Sequence, residues 1–468
     1  MLLSLYNSLT REIEPLTLQP GRDSMSFYAC GPTVYDHAHL GNLRTYVAED
    51  LLRRTIEWWG YPIQHVMNLT DVDDKTLLGA KRSGQSLSDY TAPYIASFLS
   101  ALETLSIKKP EVLCAATDHI PDMIAMIEKL MKKGIAYCMP SGDVCFRISD
   151  YPKYGAFCHM PCSHASHSPR IEDEYLEESA ADFALWKAYD PERDGAIFWE
   201  SPFGPGRPGW HIECSAMATH FLPLPIDLHA GGVDNRFPHH ENEIAQTEAA
   251  METPFVRHWF HVEHLLVEGE KMSKSKGNFY TLNDLIQKGH SPDAIRFLLL
   301  STHYRTSLNL TMPGLQAAKQ SLERLREGYR RLLNPQKTTT ESNILEAIEK
   351  AKGDFQKALG NDLNISLALA TLFTLFKQLH AAADQNLLGE REASAAKEWV
   401  ESIDPLFGGI ITREEAPPPH DIMELLRARN RARDEKSWDI ADQLRERIES
   451  AGYLIEDGPT GSRLKKGR

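Results

Sequence analysis

The sequence predicts an α/β fold built on a parallel sheet, with an insertion in it, followed by a helical bundle and a small C-terminal α+β module. Three observations predict it. Residues 25–30 (Met-Ser-Phe-Tyr-Ala-Cys) and 62–69 (Pro-Ile-Gln-His-Val-Met-Asn-Leu) are apolar runs on either side of an amphipathic segment, the order of a βαβ unit. The pattern weakens between about 115 and 200 and returns from about 205. From about Thr311 to Gln378 heptad-like Leu, Ile and Ala take over.

Each element follows from its residues. Val47, Leu51, Leu52, Ile56 and Trp59 recur at helical spacing and predict a helix from about Leu43 to Trp59, which Gly60 stops. A parallel sheet binds ligands at the carboxyl ends of its strands, where Cys30, His39 and Thr70 fall. Short strands (Ile135–Cys138, Val144–Ile148) and a charged run (Arg170–Glu178) mark the insertion. Beyond it come a strand at Pro225–His229, a helix at Glu241–Ala250 and a strand at His261–Val267. Asn334–Ser342 and Thr412–His420, the latter with Pro417, Pro418 and Pro419, read as linkers.

The bulk composition narrows the function class. With 468 residues, three or four domains are expected. No run of about 18 apolar residues is evident, so no membrane span is expected. Arg11, Glu12 and Glu14 follow Leu2 and Leu3 too closely for a signal peptide. Seven scattered cysteines fit a reducing cytosol better than a disulfide framework. A net charge of −14 argues against a nucleic-acid coat protein, but leaves room for a local basic face.

Two constellations carry chemistry. Cys30, Cys214 and the helix start holding His239, His240 and Glu243 offer thiolates, imidazole and carboxylate, a tetrahedral zinc set. His239 and Glu243, four apart, share a helix face. Taken singly, a cysteine at a strand end reads as a buried apolar residue, and the His-x-x-x-Glu pair as a surface or cap feature. Cys158 and Cys162, with His159, His164 and His167, resemble half of a metal knuckle. A second cysteine pair is missing, which favours an exposed loop.

The second constellation suits a nucleotide. His39-Leu40-Gly41-Asn42 precedes a helix, whose N-terminus offers free N–H groups to phosphates. Gly41 lets a nucleotide approach the backbone, and His39 can donate to a phosphate oxygen. The plainer reading is a helix start with Asn42 as N-cap. Lys271-Met272-Ser273-Lys274-Ser275-Lys276-Gly277-Asn278 reads as a loop whose ammonium groups close over a triphosphate, or as a solvated turn.

Together these two motifs resemble the HIGH and KMSKS signatures of class I aminoacyl-tRNA synthetases. Residues 271–275 match KMSKS letter for letter; in the first motif Leu40 replaces Ile and Asn42 the last His. Residues 27–36 (Phe-Tyr-Ala-Cys-Gly-Pro-Thr-Val-Tyr-Asp), 68–75 (Asn-Leu-Thr-Asp-Val-Asp-Asp-Lys), 209–214 (Gly-Trp-His-Ile-Glu-Cys) and 237–245 (Phe-Pro-His-His-Glu-Asn-Glu-Ile-Ala) narrow the resemblance to the cysteinyl-tRNA synthetase family.

The resemblance implies a cysteine ligase that forms an adenylate from ATP and passes cysteine to tRNA(Cys). It implies one zinc ion on Cys30, Cys214, His239 and Glu243, and so selects His239 over His240. It implies magnesium with ATP, contact of Lys274 with ATP assisted by His39 and Lys271, and an ATP site completed by Gly41, Asn42, Gly232 and Asp234. Thr70 and Trp210 would line the cysteine pocket. Arg433, Trp438 and Asp442, in an Arg-x-x-x-x-Trp-x-x-x-Asp stretch, would contact tRNA, within a segment also rich in Arg427, Arg429 and Arg431. Read alone, that segment is a helical hairpin with a solvated face.

The expected domains are a Rossmann-like nucleotide-binding domain (1–114 and 200–270), an insertion (115–199), a KMSKS loop with its connecting fold (271–310), a helical bundle (311–404) and an anticodon-binding module (405–468). A monomer in the cytoplasm is expected. The rival reading is an enzyme joining activated cysteine to an amino sugar, which would lack the last module.

Overall fold

The computed structural model describes residues 2–159, 166–170, 181–272, 277–333, 335, 343–385, 387–413, 419–458 and 461–466. The chain divides into two compact units, Met1–Thr412 and Arg413–Arg468.

The first unit is organised by a five-stranded sheet. Across it the strands run Val256–Val262, Ile226–Gly232, Met25–Ala29, Ile63–Leu69 and Val112–Ala115, all parallel. Numbered by position in the chain, this is the order 5-4-1-2-3, or 3-2-1-4-5 read from the other edge. The connections diverge between Met25–Ala29 and Ile226–Gly232, and this switch point is where a doubly wound sheet opens a crevice at its carboxyl edge. Met25–Ala29 is buried throughout, as expected for a parallel strand covered on both faces.

The predicted helix spans Leu40–Trp58 and turns Leu43, Val47, Leu51, Leu52 and Ile56 into the core. It starts three residues earlier than the apolar spacing indicates because His39, not Asn42, is the N-cap. The predicted strand at His261–Val267 is displaced. The sheet strand ends at Val262, and Leu265–Val267 belongs to a separate three-stranded sheet with Glu270–Lys271 and Leu308–Leu310.

The insertion is narrower at its start and longer at its end than 115–199. Helix Ile120–Lys132 packs on helices Trp210–Phe221 and Glu241–Met251 of the main fold. The insertion sheet runs Gly206–Pro208, Ala181–Ala188, Val144–Phe146 and Ala136–Cys138, with Ser166–Arg170 beside Ala181–Ala188. Residues 171–178 of the charged run lie outside the described residues. Lys187 and Arg207, both buried in this sheet, pair with Asp74 at the start of helix Asp74–Ser83 and so tie the insertion to the main sheet's second loop.

Four helices form the bundle: Met312–Leu332, Ile344–Gly360, Ile365–Asp384 and Glu390–Ile403. Ile365–Asp384 is long and apolar enough to cross a membrane by length and composition alone, which the sequence reading overlooked. Its apolar surface has another use here: Leu369, Leu372, Leu375, Phe376 and Leu379 are buried in the core shared with the other bundle helices. The linker at 334–342 lies almost wholly outside the described residues, as does the central part of 412–420.

The boundary expected at 405 falls instead after Thr412. Asp404 accepts hydrogen bonds from the Ile411 and Thr412 amides at 2.9 Å. Arg296, fully buried, donates to the Phe407 carbonyl at 2.6 Å, to the Leu105 carbonyl at 2.7 Å and to Asp50 at 2.5 Å. One guanidinium thus fastens residues 404–412 to helix Leu40–Trp58. Burial favours the neutral acid at Asp50, but Arg296 and Arg54 overcome it and hold the carboxyl below its ordinary range.

In the second unit, helices His420–Asp434 and Trp438–Ser450 pack with a hairpin of Tyr453–Gly458 and Gly461–Lys466 around Ile422, Leu426 and Ile448.

Replacing Arg296 by Met leaves Asp50 buried with only Arg54 and the Lys108 amide to balance it among the described residues. It is expected to destabilise the first unit by about 3–5 kcal/mol, measured as a fall in its urea midpoint; an unchanged midpoint contradicts the clamp.

Candidate active site and metal centre

The carboxyl edge of the sheet assembles the site because three local features converge there. Cys30 directly follows Met25–Ala29, and its amide donates to the Ala230 carbonyl at 3.2 Å. Gly31 then presses on the neighbouring strand: a Cβ would sit 1.6 Å from the Asn68 carbonyl oxygen, so only glycine fits. Cys214 lies one turn into helix Trp210–Phe221, and His239 and Glu243 straddle the start of helix Glu241–Met251.

Donor atoms of Cys30, Cys214, His239 and Glu243 lie within 4.8 Å of one another, and all four residues are buried. Zinc bonds of roughly 2.0–2.3 Å in a tetrahedral shell place the donors about 3.3–3.8 Å apart. A small contraction therefore closes the four around one ion, and two thiolates, an imidazole and a carboxylate suit a borderline-soft cation. Cys30, His229, His240 and Glu243 form a second, overlapping set within the same limit.

Burial and mutual charge shift the four donors in opposite directions. Burial pushes the Cys30 thiol well above its ordinary value, and the neighbouring Cys214 and Glu243 push it further. The Cys30 hydrogen bond brings Cys214 down to about 6 against its burial. Burial would lower His239, but Glu243 and Cys214 raise it to about 10. Burial would raise Glu243, but His229 and His239 hold it at about 2.

A ring of histidines supports these four. His229 Nε2 meets Glu243 Oε2 at 2.9 Å, and His239 Nε2 meets Glu243 Oε1 at 2.9 Å. His211 Nδ1 lies 2.9 Å from His239 Nδ1. His240 reaches Cys30 Sγ at 3.4 Å and His261 at 2.8 Å, and His261 reaches Ser8 at 2.8 Å. Sequence reasoning assigned His211, His229 and His261 no role, although His211 lies inside a motif already singled out. Glu49 left no sequence signal beyond its place on the apolar side of a helix. Its carboxyl has no hydrogen-bond partner among the described residues, and burial pushes it well above the carboxylate range.

In front of the cluster opens a cavity of about 390 Å³. Cys30, His39, Gly41, Asn42, Thr70, Trp210, Cys214, Gly232, Asp234, His239 and Lys271 all line it, so one cleft gathers both constellations. Lys274 lies outside the described residues. Trp210 stacks on His239 with ring centroids 4.4 Å apart. The Thr70 hydroxyl accepts from Asn68 at 3.0 Å.

The first motif forms a capping box. His39 Nδ1 accepts from the Asn42 amide, and the Asn42 side chain accepts from the His39 amide, both at 3.2 Å. A Cβ on Gly41 would fall 2.8 Å from the His39 ring. Glycine is therefore needed for His39 to lie over the helix start, whatever else approaches the backbone. Of the 158–167 cluster, Cys158 donates to the Arg236 carbonyl at 3.2 Å, while Cys162 and His164 lie outside the described residues, as does the His167 side chain.

In the C-terminal unit, Trp438 and Asp442 share a helix face, and Trp438 is 58% exposed. Arg429 binds Asp457 through two bonds of 2.7 and 2.8 Å, and Arg433 adds a third of 2.5 Å. Arg429, Ser462 and Arg433 hold the Asp457 carboxyl well below its usual range. Arg433 thereby joins the first helix to the hairpin, while Arg427 and Arg431 are exposed.

Comparison with known proteins agrees with this geometry. Residues 17–320 match the tRNA synthetases class I (C) catalytic domain, and residues 419–463 match the cysteinyl-tRNA ligase anticodon binding domain. The chain is 49% identical to a cysteine–tRNA ligase of Chlamydia muridarum, with 99% of each chain covered. The chain belongs to the cysteinyl-tRNA ligase family. A cysteine–tRNA ligase of Protochlamydia amoebophila is 48% identical over 99% of this chain and 98% of that one. Among solved structures, Mycobacterium tuberculosis methionyl-tRNA synthetase in complex with methionyl-adenylate aligns with a TM-score of 0.64 at 14% identity, covering 83% of this chain and 93% of that one. An Agrobacterium radiobacter leucyl-tRNA synthetase in a ternary complex aligns at 0.59 with 13% identity, covering 84% and 85%. These likenesses show the class I fold. The anticodon-domain match leaves the amino-sugar reading without support.

His229→Asn removes the bond that orients Glu243. It is expected to lower metal affinity about 10–100-fold, measured by competition against a chromogenic chelator.

Proposed function

We propose that the chain is a cysteine–tRNA ligase that selects its amino acid through sulfur, using zinc held by Cys30, Cys214, His239 and Glu243. The observation that carries this reading is the placement of these donors at the back of the cleft whose mouth holds the HIGH-like motif. Cys30, Cys214 and His239 line the cleft, whereas His229 and His240 of the overlapping set do not. That favours the first set as the one that meets substrate and leaves the other histidines as supports.

Cysteine and serine differ by one atom, and a pocket working by size discriminates weakly, by about 1–3 kcal/mol per methylene. Zinc, when bound, supplies a soft Lewis acid that favours a thiolate over a hydroxyl. Trp210, stacked on His239, and Thr70, fixed by Asn68, would wall the amino-acid pocket. His39, Gly41 and Asn42 would meet the ATP phosphates at the helix N-terminus, where free N–H groups favour negative charge. Gly232 and Asp234 at the neighbouring strand end would border the adenosine.

The reaction has two steps. A cysteine carboxylate oxygen attacks the α-phosphorus of ATP and pyrophosphate leaves, with magnesium accompanying the nucleotide and Lys271 and Lys274 offsetting its charge. A terminal tRNA hydroxyl then attacks the carbonyl carbon, and AMP leaves. No side chain acts as nucleophile; proximity and charge neutralisation lower the barrier. In the C-terminal unit, exposed Trp438 would stack on an unpaired base, beside Asp442 and Arg433. The six described cysteines form no disulfide, which suits a reducing compartment.

ATP–pyrophosphate exchange tests the site. Cysteine is expected to drive exchange and serine to fail, and chelation of the metal should narrow that gap; unchanged discrimination after chelation would falsify the sulfur reading. Trp438→Ala is expected to weaken tRNA binding by about 1–3 kcal/mol in a charging assay and to leave exchange untouched. Equal loss in both assays counts against anticodon stacking.

A further inference from the structure

We propose that His119, Asp122 and His220 form a second metal site, at the surface of the catalytic unit, for a divalent first-row transition ion. His119 immediately precedes helix Ile120–Lys132, Asp122 sits in that helix's first turn, and His220 lies in the last turn of Trp210–Phe221. Both imidazoles aim Nδ1 at one carboxylate, on different oxygens: His119 meets Oδ2 at 2.9 Å and His220 meets Oδ1 at 3.0 Å. Their donor atoms all lie within 4.8 Å of one another.

Packing holds the rings in these poses. The His119 and His220 ring centroids are 5.0 Å apart, and Phe221 sits edge-on to both, at 5.1 and 4.6 Å. Such support preorganises a ligand set. Accessibility is graded across the site: the side chains of His119, Asp122 and His220 are 12%, 35% and 45% exposed. An ion can therefore enter from solvent and keep water in its remaining positions.

Two imidazole nitrogens and one carboxylate define the class of ion. This set suits zinc, cobalt, nickel or copper, whereas magnesium and calcium prefer all-oxygen shells. The site shares no donor with the buried cluster and contains no thiolate. It bridges two helices, and one of them, Trp210–Phe221, also carries Trp210 and Cys214. An ion here would brace that helix from its far end.

Cobalt distinguishes the two centres in the full-length protein. The buried cluster supplies two cysteines, so its cobalt carries a thiolate charge-transfer band; the surface site gives only ligand-field absorption. The wild type is expected to bind one equivalent of each kind. His220→Ala and Asp122→Asn should each lose the thiolate-free equivalent while retaining the charge-transfer band, and excess magnesium should displace neither. The surface site is overturned when the wild type binds no cobalt beyond that carrying the charge-transfer band, or when both variants keep the thiolate-free equivalent.

Discussion

Four ionisable donors buried within one small volume cannot all carry charge in a low-dielectric interior unless a cation balances them. Cys30, Cys214, His239 and Glu243 impose that constraint at the sheet's carboxyl edge. The surroundings answer it with geometry. His229 pins one oxygen of Glu243 while His239 meets the other, and His211 sets the His239 ring. Burial and the neighbouring Cys214 and Glu243 raise the Cys30 thiol, while its hydrogen bond to Cys30 lowers Cys214, so the two sulfurs respond in opposite senses to the same crowding of charge.

The fold delivers these donors from segments far apart in the chain. The switch point between Met25–Ala29 and Ile226–Gly232 brings the first strand end beside the fourth. Charged clamps hold what surrounds it. Lys187 and Arg207 bind the insertion to Asp74, and Arg296 binds residues 404–412 to Asp50. Breaking such a buried pair strands a charge in the interior, so each clamp resists separation of the layers it joins.

Much of the architecture was legible in the residues. The apolar run at 25–30 and the periodic Val47, Leu51 and Ile56 placed the βαβ unit nearly where it lies, and Cys30, Cys214, His239 and Glu243, quoted from separate motifs, meet at one point in the fold. The errors have physical causes. Asn42 reads as a helix cap by residue type, yet the His39 ring takes that place because Gly41 leaves room for it. The strand at His261–Val267 was misplaced because one apolar run serves two sheets, broken at Glu263 and His264. Arg433, which the resemblance implies as a tRNA contact, also pairs with Asp457, 24 residues on across the hairpin, a partner that no local pattern announces.

The sequence by itself determined the periodicities, the order of elements and the chemistry of the donors, because these depend on neighbours along the chain. Tertiary structure alone decided which histidines surround Cys30, Cys214, His239 and Glu243 and which set of donors faces the cleft. Those outcomes depend on distances between residues hundreds of positions apart, set by a sheet order and by buried clamps that no local pattern encodes.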